Sequence, residues 1–285
     1  MRSVGFHGRA GSAPRRKNRN FLYKSRLVRL LRLVRGGLAW GNIRCRACAE
    51  LVCEKNGMGG GFSPGPALCA PCAALLLPRR KGYCPSCGQI FSNAELAPYL
   101  CGDCLSLPPP WSAFYFFGVY ENLLKTLFIA FKFNGDLAAG RLLAALLDIH
   151  LAPLLAKELP GGDAAPRPLL IPVPVHKGRL RERGFNQSLL LAKPLARRLK
   201  LELAPRALWR TRLDPPQSSL DRKERLRGPK GAFAADSSLL RGRSVILLDD
   251  IMTTGATLRE AARILLARGA ADVRVVVLAR TPSSA

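Results

Sequence analysis

Two adjacent carboxylates and a threonine-rich turn are the side chains of this sequence best suited to chemistry. The stretch 245–257 is VILLDDIMTTGAT, so Asp249 and Asp250 follow four apolar residues and precede the turn Thr253–Thr257. Paired carboxylates accept hydrogen bonds from hydroxyl groups or bind a hydrated cation. A Thr-Thr-Gly turn that opens a helix offers hydroxyls, backbone N–H groups and the helix dipole to a phosphate. This segment is therefore predicted to bind a sugar phosphate.

Eight of the nine cysteines form four Cys-x-x-Cys pairs, which predict metal binding. Two residues between cysteines let both thiolates bind one metal, and two such pairs complete a tetrahedral sulfur site. We therefore predict two structural Zn²⁺ ions with no ligand position open to a substrate. Pairing neighbours gives a double zinc ribbon, and a crossed pairing remains open. Cys53, outside the pairs, is predicted to be an ordinary apolar side chain. The predicted ligands are Cys45, Cys48, Cys69, Cys72, Cys84, Cys87, Cys101 and Cys104.

The elements that must position these residues alternate between strand and helix after Pro108–Pro110. Apolar stretches predict strands at 111–120, 168–175, 244–250 and 271–280, with a short one near 203–209. Periodic stretches predict helices at 121–133, 137–159, 185–200 and 257–269. Strands that are apolar on both faces predict a mostly parallel sheet flanked by helices, an α/β fold. Ligands of such sheets bind at the carboxyl ends of strands, where the two aspartates lie.

Composition divides the chain into three parts: a basic tail over 1–44, a cysteine-rich domain over 45–107 and an α/β domain over 111–281. The sequence has 45 Lys and Arg residues against 19 Asp and Glu residues, a formal charge of +26. This charge favours polyanionic partners such as nucleic acid or phosphorylated metabolites. Two interpretations of the tail stay open: a functional basic arm that binds a membrane or nucleic acid, or a disordered tail or an extension from a wrongly chosen start codon.

The sequence predicts a soluble protein of the cytoplasm. No transmembrane segment is expected, because the apolar stretch Leu142–Leu155 contains Asp148 and His150 and is shorter than a bilayer requires. No signal peptide is evident at the basic N-terminus. Without secretion, cysteine pairs indicate metal ligands in a reducing compartment and not disulfides.

Several segments together resemble the ComF/GntX family of type I phosphoribosyltransferase-like proteins. The stretch 245–257 resembles the motif that binds 5-phosphoribosyl-1-pyrophosphate (PRPP). The stretches IPVPVHKGRLRERGFNQ at 171–187 and QSSLDRKERLRGPKGAF at 217–233 resemble two loops of this family, and the cysteine pairs complete the match. The resemblance covers about residues 45–281. It implies a type I phosphoribosyltransferase-like sheet preceded by a small double zinc ribbon.

The resemblance also implies a role for each part of the site. Asp249 and Asp250 are expected to hold the ribose hydroxyls, with Mg²⁺ bridging ribose and pyrophosphate oxygens. The residues expected to cradle the 5′-phosphate are Thr253, Thr254, Gly255, Ala256 and Thr257. The residues expected in the pyrophosphate loop are Pro174, His176, Lys177 and Arg179. The residues expected in a flexible loop over the site are Arg222, Lys223 and Arg225.

Some of these segments also have an ordinary structural interpretation. The arginines before Phe185 could form a solvated face, with Asn186 or Ser188 capping the next helix. The segment 211–231 could be a surface linker, and the aromatic residues of 111–120 are expected in the core. Lys132 receives no role from the sequence.

Three functions follow from the resemblance. The family is implicated in natural transformation, so the first is DNA uptake by a PRPP-binding protein that handles single-stranded DNA with a competence helicase as partner. The second is an active phosphoribosyltransferase that transfers ribose 5-phosphate to an unidentified acceptor. The third is a non-catalytic PRPP sensor. No residue pattern identifies an acceptor pocket or a side-chain nucleophile.

Overall fold

A computed structural model of the chain describes residues 44–52, 67–160, 166–211 and 231–282. Its centre is a five-stranded sheet in the order β1-β7-β6-β2-β3, with every neighbouring pair parallel. This sheet confirms the predicted α/β fold class. Its strands are β1 (Ala113–Val119), β2 (Leu169–Pro172), β3 (Glu202–Leu203), β6 (Ser244–Met252) and β7 (Asp272–Arg280). The predicted flexible-loop residues and the basic tail lie outside the described residues. These are Arg222, Lys223 and Arg225, and residues 1–43.

The predicted short strand near 203–209 is two separate strands. β3 joins the parallel sheet, whereas β4 (Leu208–Arg210) pairs antiparallel with β5 (Phe233–Ala235). Pro205 lies between β3 and β4 and cannot donate a backbone hydrogen bond to a continued ladder. The antiparallel pair brings together the two ends of the segment that the sequence predicts to be a loop over the site.

Eight helices occur in the described part of the chain, and four of them match the long periodic segments. They are α1 (Ala70–Leu75), α2 (Gly102–Ser106), α3 (Asn122–Phe133), α4 (Leu137–Ala156), α5 (Lys177–Arg183), α6 (Gln187–Leu199), α7 (Ser237–Leu240) and α8 (Ala256–Ala267). The helix α5 lies in the segment predicted to be the pyrophosphate loop. It is a short helix because His176 caps its N-terminus and Gly184, with a φ of +79°, ends it.

The sheet separates two apolar cores. Successive residues of a strand point to opposite faces, so Val245 and Leu247 of β6 lie in one core while Ile246 and Leu248 lie in the other. The first core contains side chains of α8 and of the antiparallel pair β4–β5. The second core contains side chains of α3, α4 and α6. Burial on both faces explains the continuous apolar runs in the sequence.

The helix α4 belongs to the second core. It is the one helix of the described chain that is long and apolar enough to cross a membrane, but half of its apolar window is buried inside the protein. An ion pair of 2.8 Å between Asp148 and Arg198 joins it to α6. Gly140 lets α4 approach α3 closely, because a Cβ atom there would lie 2.5 Å from the ring of Phe131. The helix is therefore a packed core element.

The cysteine-rich segment packs against both faces of the sheet. The second cysteine cluster (Cys84, Cys87, Cys101 and Cys104) is part of the first core. Residues around the first cysteine cluster (Cys45, Cys48, Cys69 and Cys72) contact the opposite core through Ala47, Leu68 and Leu76. Trp111 donates a hydrogen bond from Nε1 to the carbonyl oxygen of Ser86 at 2.7 Å and so joins the second cluster to the start of β1.

Candidate functional site

The site forms where β6 extends beyond its neighbour β2. The last paired residues of β2 and β6 are Pro172 and Leu248, whereas β6 stays paired with β7 as far as Met252 and Arg280. Beyond Leu248 one side of β6 therefore has no ladder partner in the sheet. A crevice opens at this point, as expected at the carboxyl ends of parallel strands. Asp249 and Asp250 are the first residues of β6 beyond the β2 pairing.

The two carboxylates have separate partners. Ser188 of α6 donates its hydroxyl to Asp249 Oδ1 at 2.8 Å, and the N–H of Asp250 donates to the same oxygen at 2.9 Å. The Oδ2 atom of Asp250 lies 2.7 Å from Nζ of Lys132 at the end of α3. Both partners come from helices of the second core, α6 for Asp249 and α3 for Asp250. The ammonium group of Lys132 reduces the repulsion between the adjacent carboxylates.

The surroundings of Asp249 favour its protonated form more than water does. Burial raises its pKa to about 7, and the charge of Asp250 acts in the same direction. The N–H of Asp250, the charge of Lys132 and the hydroxyl of Ser188 oppose this increase. Two features therefore limit the negative charge of the site: the raised pKa of Asp249 and the ammonium group beside Asp250.

The turn after β6 places backbone N–H groups of the first turn of α8 beside the carboxylates. Gly255 is the N-cap residue of α8 and has a φ of +78°, a left-handed conformation that glycine adopts without strain. Its neighbour Thr254 accepts a long hydrogen bond from the N–H of Ala256 through Oγ1, at 3.4 Å. As a glycine, Gly255 has no side chain that could accept a hydrogen bond from the N–H groups in the first turn of α8. The start of this helix is therefore suited to binding an anion.

The carboxylates and the turn line a single crevice of about 490 Å³. The predicted residues that line it are Asp249, Asp250, Thr253, Gly255, Ala256, Thr257, Pro174 and Arg179. Three other predicted residues, Thr254, His176 and Lys177, are not part of its lining. His176 instead accepts the N–H of Gly178 at Nδ1, at 3.1 Å, and caps α5. The structure thus brings together most, but not all, of the residues selected from the sequence.

The crevice also contains residues that sequence reasoning did not select. Lys132 lay without a role in an apolar helix, and Ser188 was considered only as a helix cap. The helix cap is Asn186, whose Oδ1 accepts the N–H of Leu189 at 3.3 Å, so Ser188 is available to contact Asp249. Gln187 lines the crevice while its Nε2 is buried and has no hydrogen-bond partner among the described residues. No local sequence signal distinguishes Lys132 or Gln187 from ordinary helical residues.

The rim of the crevice is basic and aromatic. Arg183 at the end of α5 lies over the ring of Phe133, with its guanidinium carbon 5.4 Å from the ring centre. Arg179 and Arg210 also line the opening. Arg179 and Arg183 of α5 both line the crevice, because residues four apart share one face of a helix.

The two cysteine clusters are built as tetrahedral metal sites. Within each cluster the four sulfur atoms lie within 4.8 Å of one another, and neighbouring pairs combine as the simpler prediction proposed. The Sγ atoms of Cys48 and Cys69 are 3.7 Å apart, as are those of Cys87 and Cys101. A tetrahedral zinc site with bonds of about 2.3 Å places its sulfur atoms about 3.8 Å apart. The donor set and spacing therefore fit Zn²⁺ in both clusters.

Comparison with known proteins gives relatives for most of the chain. Residues 186–285 match the family model described as "Phosphoribosyl transferase domain". The DNA utilization protein YhgH of Escherichia coli is 36% identical over 201 residues, which cover 70% of this chain and 85% of that protein. Competence protein F of Haemophilus influenzae is 33% identical over 245 residues, or 84% of this chain and 97% of the relative.

A third relative is matched over a similar share of its length. Competence protein ComFC of Bacillus subtilis is 30% identical over 227 residues, which cover 77% of this chain and 87% of that protein. The chain that gives these matches has a parallel sheet with a crevice at β6, and two four-cysteine clusters precede that sheet in the sequence. The chain therefore belongs to the ComF family of competence and DNA utilization proteins, which carry a phosphoribosyltransferase domain.

Proposed function

We propose that this protein binds PRPP together with Mg²⁺ in the crevice at the end of β6, as part of DNA uptake and utilization in the cytoplasm. The observation that carries the proposal is the meeting of two different binding chemistries in one crevice. The carboxylates of Asp249 and Asp250 suit hydroxyl groups, whereas the first turn of α8 suits a phosphate. A ribose phosphate carries both groups on one small molecule.

Each part of PRPP has a proposed place. The ribose hydroxyls donate hydrogen bonds to Asp249 and Asp250, and the 5′-phosphate accepts them from the turn that contains Thr253 and Thr257. The pyrophosphate lies towards Arg179. Mg²⁺ takes oxygen ligands and keeps several water molecules, so the two carboxylates would hold it through water. When bound, the ion would neutralise part of the pyrophosphate charge.

Lys132 makes the crevice acceptable to an anion. Two adjacent carboxylates by themselves would repel a ligand that carries several negative charges. The ammonium group of Lys132, 2.7 Å from Asp250, removes one unit of that repulsion. Its side chain is largely buried, so water screens the ion pair less than it would at the surface. Lys132 therefore supports binding without having to contact the ligand.

Asp249 and Asp250 form the proposed ribose clamp, and we expect this clamp to control PRPP affinity. Replacing Asp249 or Asp250 with asparagine removes charged acceptors, so PRPP–Mg²⁺ should bind at least about tenfold more weakly by calorimetry. Asp272→Asn is a matched control, because Asp272 lies at the opposite end of the sheet and pairs with Arg274. Unchanged affinity in Asp249→Asn/Asp250→Asn would remove the clamp from the proposal. Pyrophosphate release, assayed in the same samples with candidate acceptors, separates a transferase from a PRPP sensor.

The clamp should also make PRPP affinity depend on pH. Asp249 has a pKa of about 7 in the free protein, and only its ionised form accepts two hydrogen bonds from hydroxyls at full strength. Affinity should therefore rise by up to about tenfold from pH 6 to pH 8. In Asp249→Asn the side chain at position 249 no longer titrates. The pH dependence that remains in this variant therefore measures the contribution of the phosphate groups of the ligand. Equal pH profiles for the two proteins would show that Asp249 does not change protonation on binding.

We propose that both cysteine clusters hold Zn²⁺. Elemental analysis of the purified chain should give two zinc ions per protein. Cys48→Ser and Cys84→Ser should each retain one, because three thiolates bind zinc much more weakly than four. Cys53→Ser, at the cysteine outside the four pairs, is the control and should retain both. A content well below two in the unmodified chain would contradict the double site.

A second proposed function is binding of single-stranded DNA, with a helicase as partner. The names of the relatives point to DNA, and the formal charge of +26 favours a polyanion. Among the described residues, the rim arginines and the exposed ring of Phe133 provide charge and a stacking surface beside the crevice.

Single-stranded DNA should bind with an affinity that falls steeply as salt increases, measured by fluorescence anisotropy with and without residues 1–44. Arg183→Ala should weaken binding by both forms of the protein, because Arg183 lies at the rim of the crevice in the folded part. Absence of binding at low salt would reject this function. Loss of all binding on truncation would assign the DNA contact to the tail and not to the rim.

A further inference from the structure

A buried arginine connects the second cysteine cluster to the turn Thr253–Thr257, which is called the phosphate turn below. Arg280 is the last residue of β7 and is only 7% exposed. Its Nε donates a hydrogen bond to the carbonyl oxygen of Cys87 at 3.2 Å. Its Nη1 donates to the carbonyl oxygens of Met252, at 3.2 Å, and of Thr253. One guanidinium therefore spans from a metal-ligating residue to the segment that precedes the N-terminus of α8.

The charge of Arg280 needs an explanation. A buried guanidinium is unfavourable unless it has hydrogen bonds and a compensating charge. Among the described residues, no carboxylate forms an ion pair with it. Burial and the nearby charge of Arg259 lower the pKa of Arg280, whereas the thiolates of Cys87, Cys101 and Cys104 favour its charged form. Zn²⁺ bound by four thiolates has a formal charge of two negative units, so the loaded second cluster supplies the compensating charge.

A second chain of contacts runs in parallel. Arg259 in the first half of α8 lies over the ring of Trp111, with its guanidinium carbon 5.5 Å from the ring centre. Trp111 in turn donates its indole N–H to the carbonyl oxygen of Ser86, between the cluster residues Cys84 and Cys87. The second cluster is thus connected to both sides of the phosphate turn: through Arg280 before it and through Trp111 after it.

We propose that Arg280 is a positioning residue that couples metal binding at the second cysteine cluster to the conformation of the phosphate turn. With the metal bound, the guanidinium fixes the carbonyl groups of Met252 and Thr253 and orders the backbone that leads to Gly255. Without the metal, the compensating charge is lost and the turn becomes mobile. The consequence for ligand affinity rests on the PRPP binding proposed above.

The coupling acts in both directions. If the metal strengthens binding of a phosphate ligand, the ligand must strengthen binding of the metal by the same factor. The first cysteine cluster lies against the other core, and within the described part of the chain no backbone hydrogen bond joins it to the turn. The effect should therefore be specific to the second cluster, which gives the experiment an internal comparison.

The test uses the full-length, zinc-loaded protein in a Cys48→Ser background, so that zinc release reports the second cluster. Transfer of zinc to a chromogenic chelator gives the release rate, and amide hydrogen exchange gives the mobility of residues 252–258. Zinc removal should raise exchange in this segment by at least about tenfold. Arg280→Gln should release zinc faster than the protein with Arg280. Its exchange at 252–258 should already be raised while zinc is bound, so that removing zinc increases the exchange rate little further.

Two further variants separate charge from geometry. Arg280→Lys keeps the charge but not the planar guanidinium that reaches several carbonyl groups, so zinc release should stay near the original rate while exchange rises. Arg274→Gln, on the same strand, removes a partly exposed arginine that pairs with Asp272 and should leave both measurements unchanged. These results would not be expected if Arg280 only stabilised the fold. Circular dichroism and thermal unfolding of each variant measure that stability separately.

Neither measurement requires PRPP, so the coupling can fail or succeed independently of the proposed function. Unchanged exchange at 252–258 after zinc removal from a protein that stays folded would overturn it. Zinc release from Arg280→Gln at the original rate would do the same. Adding PRPP–Mg²⁺ should slow zinc release in the Cys48→Ser protein and not in Cys48→Ser/Arg280→Gln. If calorimetry shows no PRPP binding, the proposed function fails while the exchange result still decides the coupling.

Discussion

The ion pair between Lys132 and Asp250 is the interaction on which the crevice depends. Two neighbouring carboxylates at the end of a mostly buried strand would be costly without a cation within contact distance. That cation comes from α3, whose position is set by close packing of Phe131 against Gly140 of α4. Apolar packing in the second core thus determines the charge of the site. An ion pair of this kind contributes little net stability, so its value lies in the electrostatics of the crevice.

The cysteine clusters stabilise a segment that lacks a large apolar core of its own. In the described part of 45–107, Leu76 is the one large apolar side chain that is buried, apart from the cysteines, and the helices are short. A metal ion bound in each cluster would supply the cross-links that a larger core provides. The second cluster is completely surrounded by the first core and lies at the same end of the sheet as the phosphate turn. Structural metal and candidate ligand site therefore share one wall, in which Arg280 and Trp111 are the connecting side chains.

The family and the geometry contribute different parts of the functional account. The relatives are named for competence and DNA utilization, which indicates a process and not a reaction. The crevice has the chemistry to hold a ribose phosphate through hydroxyl acceptors and N–H donors. A ligand of this type near a basic, aromatic rim would connect nucleotide metabolism with DNA handling. The same arrangement serves a transferase, a binding protein or a sensor, because all three begin by recognising the same molecule.

The sequence by itself determined the local features of this protein. Periodicity gave the main strands and the four long helices, cysteine spacing gave both metal clusters, and the Asp-Asp and Thr-Thr-Gly residues of 245–257 gave the core of the crevice. These signals are local, since each depends on residues within one strand, one helix or one turn. The short helix α5 was missed because its capping residue, His176, is an uncommon N-cap.

Only the tertiary structure decided which distant side chains complete the site. It brought Lys132 to Asp250, Ser188 to Asp249 and Arg280 to Cys87, and it left His176 outside the crevice lining. A lysine in an apolar helix, or an arginine at the end of a strand, has no local pattern that reveals its partner. Its role depends on which elements pack together and where neighbouring strands end, and both are properties of the assembled sheet.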